Sequence, residues 1–473
     1  MNRGTLQLGE PLSPIDRAWL NMDRPTNPMM IVALLVLDAP IDRARLRELI
    51  VARFLLCERF LCVPVRDTLG ARWELDRQFD VDDHVVSAAL PEPRGQESLQ
   101  DLLGELASAP LRPGHPPWSF HLIERYGTGS AVIVRVHHCY GDGVALVQVL
   151  LELADRNARG GARRPAPASR EARGQLALEQ GFSLLPGWLA AALGAGVGLA
   201  ERGVHYALHP AAASSAARTA LASLGELSEL ATLPDDPPTR LKRPLTGVRR
   251  IAWAEPLSLA EVKIIGHVLG CTVNDVLIAT LAGALAHHLE AEGDSVAGLK
   301  IRASAPVNLR DADPRGELGN RFGLVFVELP IGIRHPLERL YAVHESMQAL
   351  KGSPQALVTQ GLLALVGSLP AAVEERAIDL FSAKASLVAS NLPGPAQPLF
   401  LCGAHVSQIL FWVPQAGSIG LGVSMLSYDG RVQLGVTCDR GLIADPGALV
   451  RRIGSEFERL VLLVLLGGAS LSE

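Results

Sequence analysis

The chain has 473 residues, 48% of them hydrophobic, which provides for a large core and excludes disorder as its general state. A formal net charge of -5 excludes a nucleic-acid binder that relies on a phosphate-neutralising surface. The six cysteines (57, 62, 139, 271, 402 and 438) lack C-x-x-C spacing, so they read as reduced thiols of a cytosolic protein, not as a zinc site or a disulfide framework.

The first ten residues hold no apolar core of signal-peptide length. Leu12-Ser13-Pro14-Ile15-Asp16 predicts a capped short helix through Trp19 to Met22, with Ser13 ahead of Pro14 and Asp16 in the first turn. Arg24 to Pro28 breaks it. Met30 to Leu37 is a continuous apolar run, short enough for a buried strand. Asp42 to Leu56 has helical spacing through Leu46, Leu49, Ile50 and Phe54. Arg72 to Leu75 reads as a strand and Glu97 to Ala107 as an amphipathic helix. After the proline-rich turn Pro113 to Trp118, Phe120 to Glu124 and Ala131 to Val136 pair as strands around Gly127-Thr128-Gly129. The second of them runs into Val136-His137-His138-Cys139-Tyr140-Gly141-Asp142-Gly143, and a helical run from Val144 to Asp155 leads out.

Asn157 to Gln175 is rich in Arg, Ala, Gly and Pro and reads as a linker. Phe182 to Ala200 carries no formal charge and nears the roughly 20 residues of a membrane span. Pro186 and four glycines interrupt it, which favours a buried or surface-docking helix over a span and leaves a monotopic membrane contact open. Pro234 to Pro238 closes this region. In the second half, Val248 to Trp253 is a strand, Ser258 to Leu269 a helix, and Thr272-Val273-Asn274-Asp275 opens a long helix to about Glu292. Leu299 to Val307 and Phe322 to Leu329 are strands around the polar loop Asn308 to Asn320. Helical sequence runs from Pro336 to Ser382. Four further strands, Ser386 to Leu392, His405 to Val413, Ile419 to Ser427 and Val432 to Cys438, are expected to close the second sheet. Asp429-Gly430 between the last two is a hairpin signal. A final helix runs from Pro446 to about Leu466, and its Leu460 to Leu466 end is apolar all round, which predicts a buried or lipid-facing end.

The fold class that follows is α/β with α+β layering: an N-terminal domain over 1–160, a helical linker over 161–240 and a C-terminal domain over 241–473. No internal repeat is evident.

Chemistry concentrates in the H-H-x-x-x-D-G stretch. Imidazole takes a proton near neutral pH, and a strand-to-helix loop holds it at a fixed point. Adjacent strand residues face opposite sides, so one of His137 and His138 can face a cleft while the other faces structure, a geometry that disfavours a shared metal. Asp142 has two readings, an orienter of the imidazole or a structural ion pair, and its tight loop favours the second. Gly143 is expected to supply loop geometry through a positive φ. Asn274 and Asp275 open a helix, where capping is the plain reading. Ser390-Asn391-Leu392-Pro393-Gly394-Pro395 reads as a stiff turn. His287-His288, late in a helix and without the D-G, is expected to be structural.

H-H-x-x-x-D-G resembles the motif of the CoA-dependent acyltransferase superfamily. The ordered set narrows this: Leu12 to Asp16 with Trp19, Pro28-Met29, Phe79 to Val85, Pro117-Trp118 before His121 to Glu124, Val273-Asn274-Asp275-Val276, Pro306 to Arg310, Ser390 to Pro395 and Ser427-Tyr428-Asp429-Gly430. Together it resembles the bacterial wax ester synthase/diacylglycerol acyltransferase family over nearly the whole chain. Two departures, Pro116-Pro117-Trp118 and Asp83 before His84, bear on acceptor preference more than on reaction type. The resemblance implies two chloramphenicol-acetyltransferase-like domains with an active-site tunnel between them and His138 at its middle. It implies acyl-CoA as co-substrate with no bound cofactor or metal, and a lipid alcohol as acceptor. His138 would be a general base acting without an acyl-enzyme. Asn274 would donate to the oxyanion or position the acceptor, and Arg310 would pair with Asp142 across the halves. CoA-binding residues stay unassigned. A cytoplasmic protein follows, with peripheral contact to a membrane or lipid inclusion. Two rival classes share the motif: a condensation-type domain using carrier-bound donors, and a non-catalytic lipid binder.

Overall fold

The structure, a computed structural model, describes residues 9–67, 70–157, 225–230, 232–310 and 318–470. Most of the expected linker, 158–224, and the apolar stretch 182–200 within it lie outside the described residues.

In the first half the order is α1 (Pro14–Asn21), β1 (Met30–Leu37), α2 (Arg43–Arg53), β2 (Cys62–Asp67), β3 (Gly70–Leu75), β4 (Val85–Ala88), α3 (Gln96–Ser108), β5 (Trp118–Tyr126), β6 (Gly129–His137) and α4 (Gly143–Leu153). In the second half it is β7 (Arg249–Trp253), β8 (Leu257–Ser258), α5 (Leu259–Leu269), α6 (Val273–Ala291), β9 (Ile301–Asn308), β10 (Phe322–Leu329), α7 (Pro336–Lys351), α8 (Gln355–Val366) and α9 (Ala371–Ala383). Then come β11 (Leu387–Pro393), β12 (Phe400–Leu401), β13 (Ala404–Trp412), β14 (Leu421–Tyr428), β15 (Arg431–Asp439) and α10 (Pro446–Ser470).

Local sequence sets the starts of several elements. The Ser13 side chain caps α1 by accepting from the Asp16 N–H at 3.1 Å, with Pro14 at the first helical position. Thr272 and Asp275 form a reciprocal capping box at α6. The β14–β15 turn pairs Tyr428 with Arg431 and holds Asp429 and Gly430 at φ 47° and 73°, the conformation of a two-residue type I′ hairpin.

Two sheets organise the molecule. The first has strand order β12-β13-β1-β6-β5-β4 and the second β10-β9-β11-β14-β15-β7, with β8 beside β15. β1 is apolar throughout because both of its faces are covered. Ile31, Ala33 and Leu35 lie in a cluster with α2 and α4, and Met30, Val32 and Leu34 in a cluster with α3 and Trp253. The second sheet packs on α6, a 19-residue helix whose side chains are buried nearly all round. No single described helix is long and apolar enough to cross a membrane.

One expected strand changes sheets. β13 does not close the second sheet. It pairs antiparallel with β1, Leu34 opposite Leu410 and Ala33 opposite Phe411, and so completes the first. An alternating apolar strand fits any half-open sheet, so its periodicity does not name its partner. Residues 400–412 of the C-terminal division therefore belong spatially with the N-terminal one. The halves interlock again at α3, where a Cβ on Gly104 would come within 2.8 Å of the Arg249 carbonyl of β7.

Of the two surroundings expected for the apolar end of α10, buried or lipid-facing, the structure removes the first. Leu460 is buried, but Leu462, Leu465 and Leu466 are 57%, 66% and 68% exposed. The helix projects past the core that covers its first turns, so an all-round apolar sequence does not mean an all-round buried one.

Candidate functional site

β6 delivers His137 and a 3-10 turn, His138–Tyr140, follows at once. The His138 N–H donates to the Met29 carbonyl at 2.8 Å, which extends the β1–β6 ladder to the base of the turn. The next residues are pinned from the other half of the chain. Gly141 forms an isolated bridge with Gly319, and the Gly319 N–H donates to Tyr140 O at 3.0 Å. A Cβ at Gly141 would stand 3.2 Å from Gly319 N, so glycine permits the close approach.

Asp142 anchors this junction. Its Oδ1 caps α4 by accepting from the Ala145 N–H at 2.9 Å. Its Oδ2 accepts from the Arg321 N–H at 2.9 Å and from Arg310 Nη2 at 2.8 Å. The Asp142 and Arg310 side chains are 6% and 4% exposed, so the charge pair is desolvated on both sides. Arg310 also donates to the Gly319 carbonyl. With both oxygens engaged by α4, Arg310 and Arg321, Asp142 makes no hydrogen bond to the His138 ring.

The two histidines part as adjacent residues should, but neither faces open solvent: His137 is 6% and His138 4% exposed. His137 turns inward to the loop, where its Nδ1 accepts from the Cys139 N–H at 3.1 Å and its Nε2 lies 3.9 Å from Asp23 Oδ2. The His138 ring stacks on Trp19 of α1, centroids 3.9 Å apart and planes 20° apart, with Phe322 of β10 at 5.9 Å. Its Nδ1 is buried without a regular hydrogen-bond partner among the described residues. Its backbone carbonyl accepts from Asn320 Nδ2 at 3.0 Å, and the same Nδ2 donates to Asp16 Oδ1 at 2.8 Å. Asp16 and Asn320 are both buried.

Burial pushes the His138 imidazole down to about 4, against the pull of the Asp142 charge and of its own carbonyl. Burial also lowers His137 to about 4, opposed by Asp23. Both rings are therefore neutral at pH 7. Burial raises the Asp16 carboxyl, opposed first by the Asn320 hydrogen bond. It raises the Cys139 thiol well above its ordinary range.

Asn274 and Asp275 separate into different surroundings. Asp275 is buried; its Oδ2 accepts from the Thr272 N–H at 2.8 Å and from His344 Nδ1 at 2.8 Å. Cys271, Asp275 and His344 present donor atoms within 4.8 Å of one another, yet the carboxylate–imidazole bond and the capping box account for the arrangement. Asn274 is half-buried. Its Oδ1 accepts from Asn391 Nδ2 at 3.2 Å, and its Nδ2 faces the Met347 sulfur at 3.9 Å. Neither His138 nor Asp142 is among these partners. The structure does bring the Val-Asn-Asp and Ser-Asn-Leu-Pro motifs together, as Asn274 and Asn391, and Leu392 beside Asn391 lies 3.5 Å from where a Gly143 Cβ would stand.

Gly143 itself is corrected. It is the first residue of α4, not a left-handed turn residue, and the space around it admits a methyl group at ordinary contact distance. The bend comes from the 3-10 turn and from Gly141. His287 and His288 take structural partners, Glu456 at 3.2 Å and Arg452 at 3.1 Å. A groove of about 1210 Å³ between α3, β7 and α10, lined by Asp101, Trp253, Val450 and Phe457 among others, includes none of residues 137–143. It is not a tunnel through His138.

Sequence reasoning missed how Trp19, Asp16 and Asn320 meet His138. Trp19 and Asp16 stood out only as parts of an ordered motif set, and Asn320 only as the end of a polar loop. Nothing local in those segments signals a contact with a residue more than a hundred positions away.

Comparison with known proteins gives consistent matches. The profile of the wax ester synthase/diacylglycerol acyltransferase catalytic domain matches residues 12–277, and that of the WS/DGAT C-terminal domain matches 318–461. A Mycobacterium tuberculosis (strain ATCC 25618 / H37Rv) protein named "Probable diacyglycerol O-acyltransferase" is 27% identical over 95% of each chain. A second protein from the same strain, named "Putative diacyglycerol O-acyltransferase", is 30% identical over 95% of this chain and 98% of its own. Among solved structures, the wax ester synthase/diacylglycerol acyltransferase from Marinobacter aquaeolei VT8 superposes with a TM-score of 0.69 at 21% identity, covering 96% of this chain and 99% of that one. The first condensation domain of the calcium-dependent antibiotic synthetase gives 0.58 at 16% identity, covering 98% and 97%. The fold is thus two condensation-like domains, as in those structures.

Proposed function

Since the chain belongs to the wax ester synthase/diacylglycerol acyltransferase family and is an acyltransferase, we propose that it moves a long-chain acyl group from acyl-CoA to a lipid alcohol with His138 as general base. The acceptor is diacylglycerol, a fatty alcohol or both. Acyl-CoA is a co-substrate, and no bound cofactor enters the scheme. The protein acts from the cytoplasmic side, with peripheral contact to a membrane or lipid inclusion through the exposed Leu462, Leu465 and Leu466.

The observation that carries this reading is the neutral, buried His138 ring held by a stacked indole at a junction of both halves. In the proposed step its Nε2 takes the proton of the acceptor hydroxyl while the oxygen attacks the thioester carbonyl. Nδ1, covered and beside its own carbonyl, keeps the other proton. The C–O bond forms, the C–S bond breaks, and CoA leaves as a thiolate that takes the proton back from the imidazolium. General-base help of this kind is worth about 10² to 10⁴ in rate. Asn274 or its partner Asn391 supplies an amide for the oxyanion or the acceptor, a contribution of roughly 3 kcal/mol for one well-placed donor. Transfer is direct: the neighbouring thiol, Cys139, is wholly buried and held protonated, which suits it poorly as a nucleophile.

The test is thiol release from palmitoyl-CoA with hexadecanol or a diacylglycerol, followed by ester identification. His138→Ala should lose at least about a hundredfold while staying folded. Turnover near that of the parent would remove His138 from the base role. Activity only with a carrier-bound donor would move the protein to condensation-type chemistry. Binding of acyl-CoA without thiol release would make it a lipid binder.

A further inference from the structure

Helix α1 packs on the 3-10 turn that carries His138. Its first turn, fixed by the Ser13 cap and Pro14, places Asp16 against Asn320, which in turn holds the His138 carbonyl. One turn later Trp19, 6% exposed, lies flat on the His138 ring at 3.9 Å. Phe322 flanks both rings, 5.8 Å from Trp19 and 5.9 Å from His138. The indole therefore presents a π face, not an edge, to an imidazole that must carry a positive charge for part of each turnover.

We propose that Trp19 is a positioning residue for the acyl transfer: its stacked indole fixes the plane of the His138 ring and stabilises the imidazolium formed when that ring takes a proton. The inference rests on His138 being the base. Its physical basis is the attraction between a cation and an aromatic face, strongest for tryptophan and larger when desolvated. Burial alone makes charging this ring costly, and the ring has no carboxylate bonded to its Nδ1 to offset that cost. Asp142 contributes charge at a distance, but Arg310 and Arg321 already engage it. The other groups around the ring are its own carbonyl and the Asn320 side chain, which favour the charged form, His137, itself neutral and tied to Cys139 and Asp23, and Asp16, which is held by Asn320. The stacked indole, its centroid 3.9 Å from that of the ring, therefore adds a stabilising face to what the ring's own carbonyl and the Asn320 side chain provide.

The pH dependence of kcat/KM separates this role from packing, because its acid limb reports the ionisation of the free enzyme's base. Trp19→Leu should lower kcat/KM about three- to thirtyfold and move the acid limb to lower pH, since the protonated ring is then less favoured. Trp19→Phe keeps a weaker face and should fall between Trp19→Leu and the parent in both readouts, and it is the decisive variant should Trp19→Leu not fold. An acid limb that stays in place, or moves up because water now reaches His138, would overturn the proposal and leave Trp19 as a cover. His138→Ala measured alongside keeps the two ideas apart. Normal activity there sinks the base assignment and this inference with it. Loss there, combined with an unmoved limb in both Trp19 variants, sinks the inference alone.

Discussion

The Asp142–Arg310 pair gives the sharpest test of how the two halves make one site. Asp142→Asn removes the charge but keeps a carboxamide oxygen that can still cap α4 at the Ala145 N–H, so the cap term of about 1 kcal/mol is spared. What is lost is the negative charge facing a guanidinium that is 4% exposed, and the new NH₂ faces two donors, Arg310 Nη2 and the Arg321 N–H. Breaking a buried pair from one side costs about 3 to 5 kcal/mol, so that is the expected destabilisation. Arg310→Met should cost less, because the Arg321 N–H still satisfies Asp142 Oδ2. The double variant should be more stable than the sum of the singles predicts by at least about 1.5 kcal/mol, as for directly coupled charges. Urea unfolding, read by far-UV circular dichroism with thiol release measured on the same samples, supplies the cycle. If Asp142→Asn unfolds within about 1 kcal/mol of the parent while activity is lost, Asp142 orients His138 and the structural-pair reasoning fails.

Asn274→Ala should leave stability within about 1 kcal/mol, because Thr272 and Asp275 already cap α6, but should lower kcat at least about tenfold. A loss below about threefold in thiol release would return Asn274 to a purely structural place beside Asn391. Stability should fall as pH is lowered from about 6.5 towards 4. His137 and His138 bind their protons less readily when folded than when unfolded, so the stability of their neutral, buried forms is complete above the unfolded value and is lost on the way down to about 4. Asp16, raised by burial, works in the opposite sense, its penalty relieved as it takes a proton. Urea midpoints across this range should show the fall, and His137→Asn should flatten part of it; an unchanged slope would mean that His137 is not held neutral.

Most local structure was legible in the chain. The Ser13–Pro14 start of α1, the Thr272–Asp275 box and the Asp429-Gly430 hairpin are decided by a few adjacent residues, and the structure has each where the residues ask for it. The apolar run of β1 indicated a strand covered on both faces, and it is one. The same local reasoning sent β13 to the wrong sheet and gave Gly143 a left-handed turn that Gly141 and the 3-10 turn make unnecessary. It left the α10 end either buried or lipid-facing, and the structure exposes it. In each case the residue pattern was compatible with several environments, and the choice lay with a distant segment.

The sequence by itself determined the chemistry on offer: a histidine pair at a strand end, an Asp-Gly after it, and an ordered set of motifs that resembled one acyltransferase family. These are statements about residue type and spacing, which the chain carries along its length. Only the tertiary structure decided what His138 meets. Asn320 reaches its carbonyl across 182 positions and Arg310 reaches Asp142 across 168. Trp19 comes to its ring because α1 packs on the turn that follows β6. The physical reason is that the neutrality of an imidazole and the partner of a buried carboxylate depend on desolvation and on charges within a few ångströms, and folding sets those distances among residues the sequence keeps far apart.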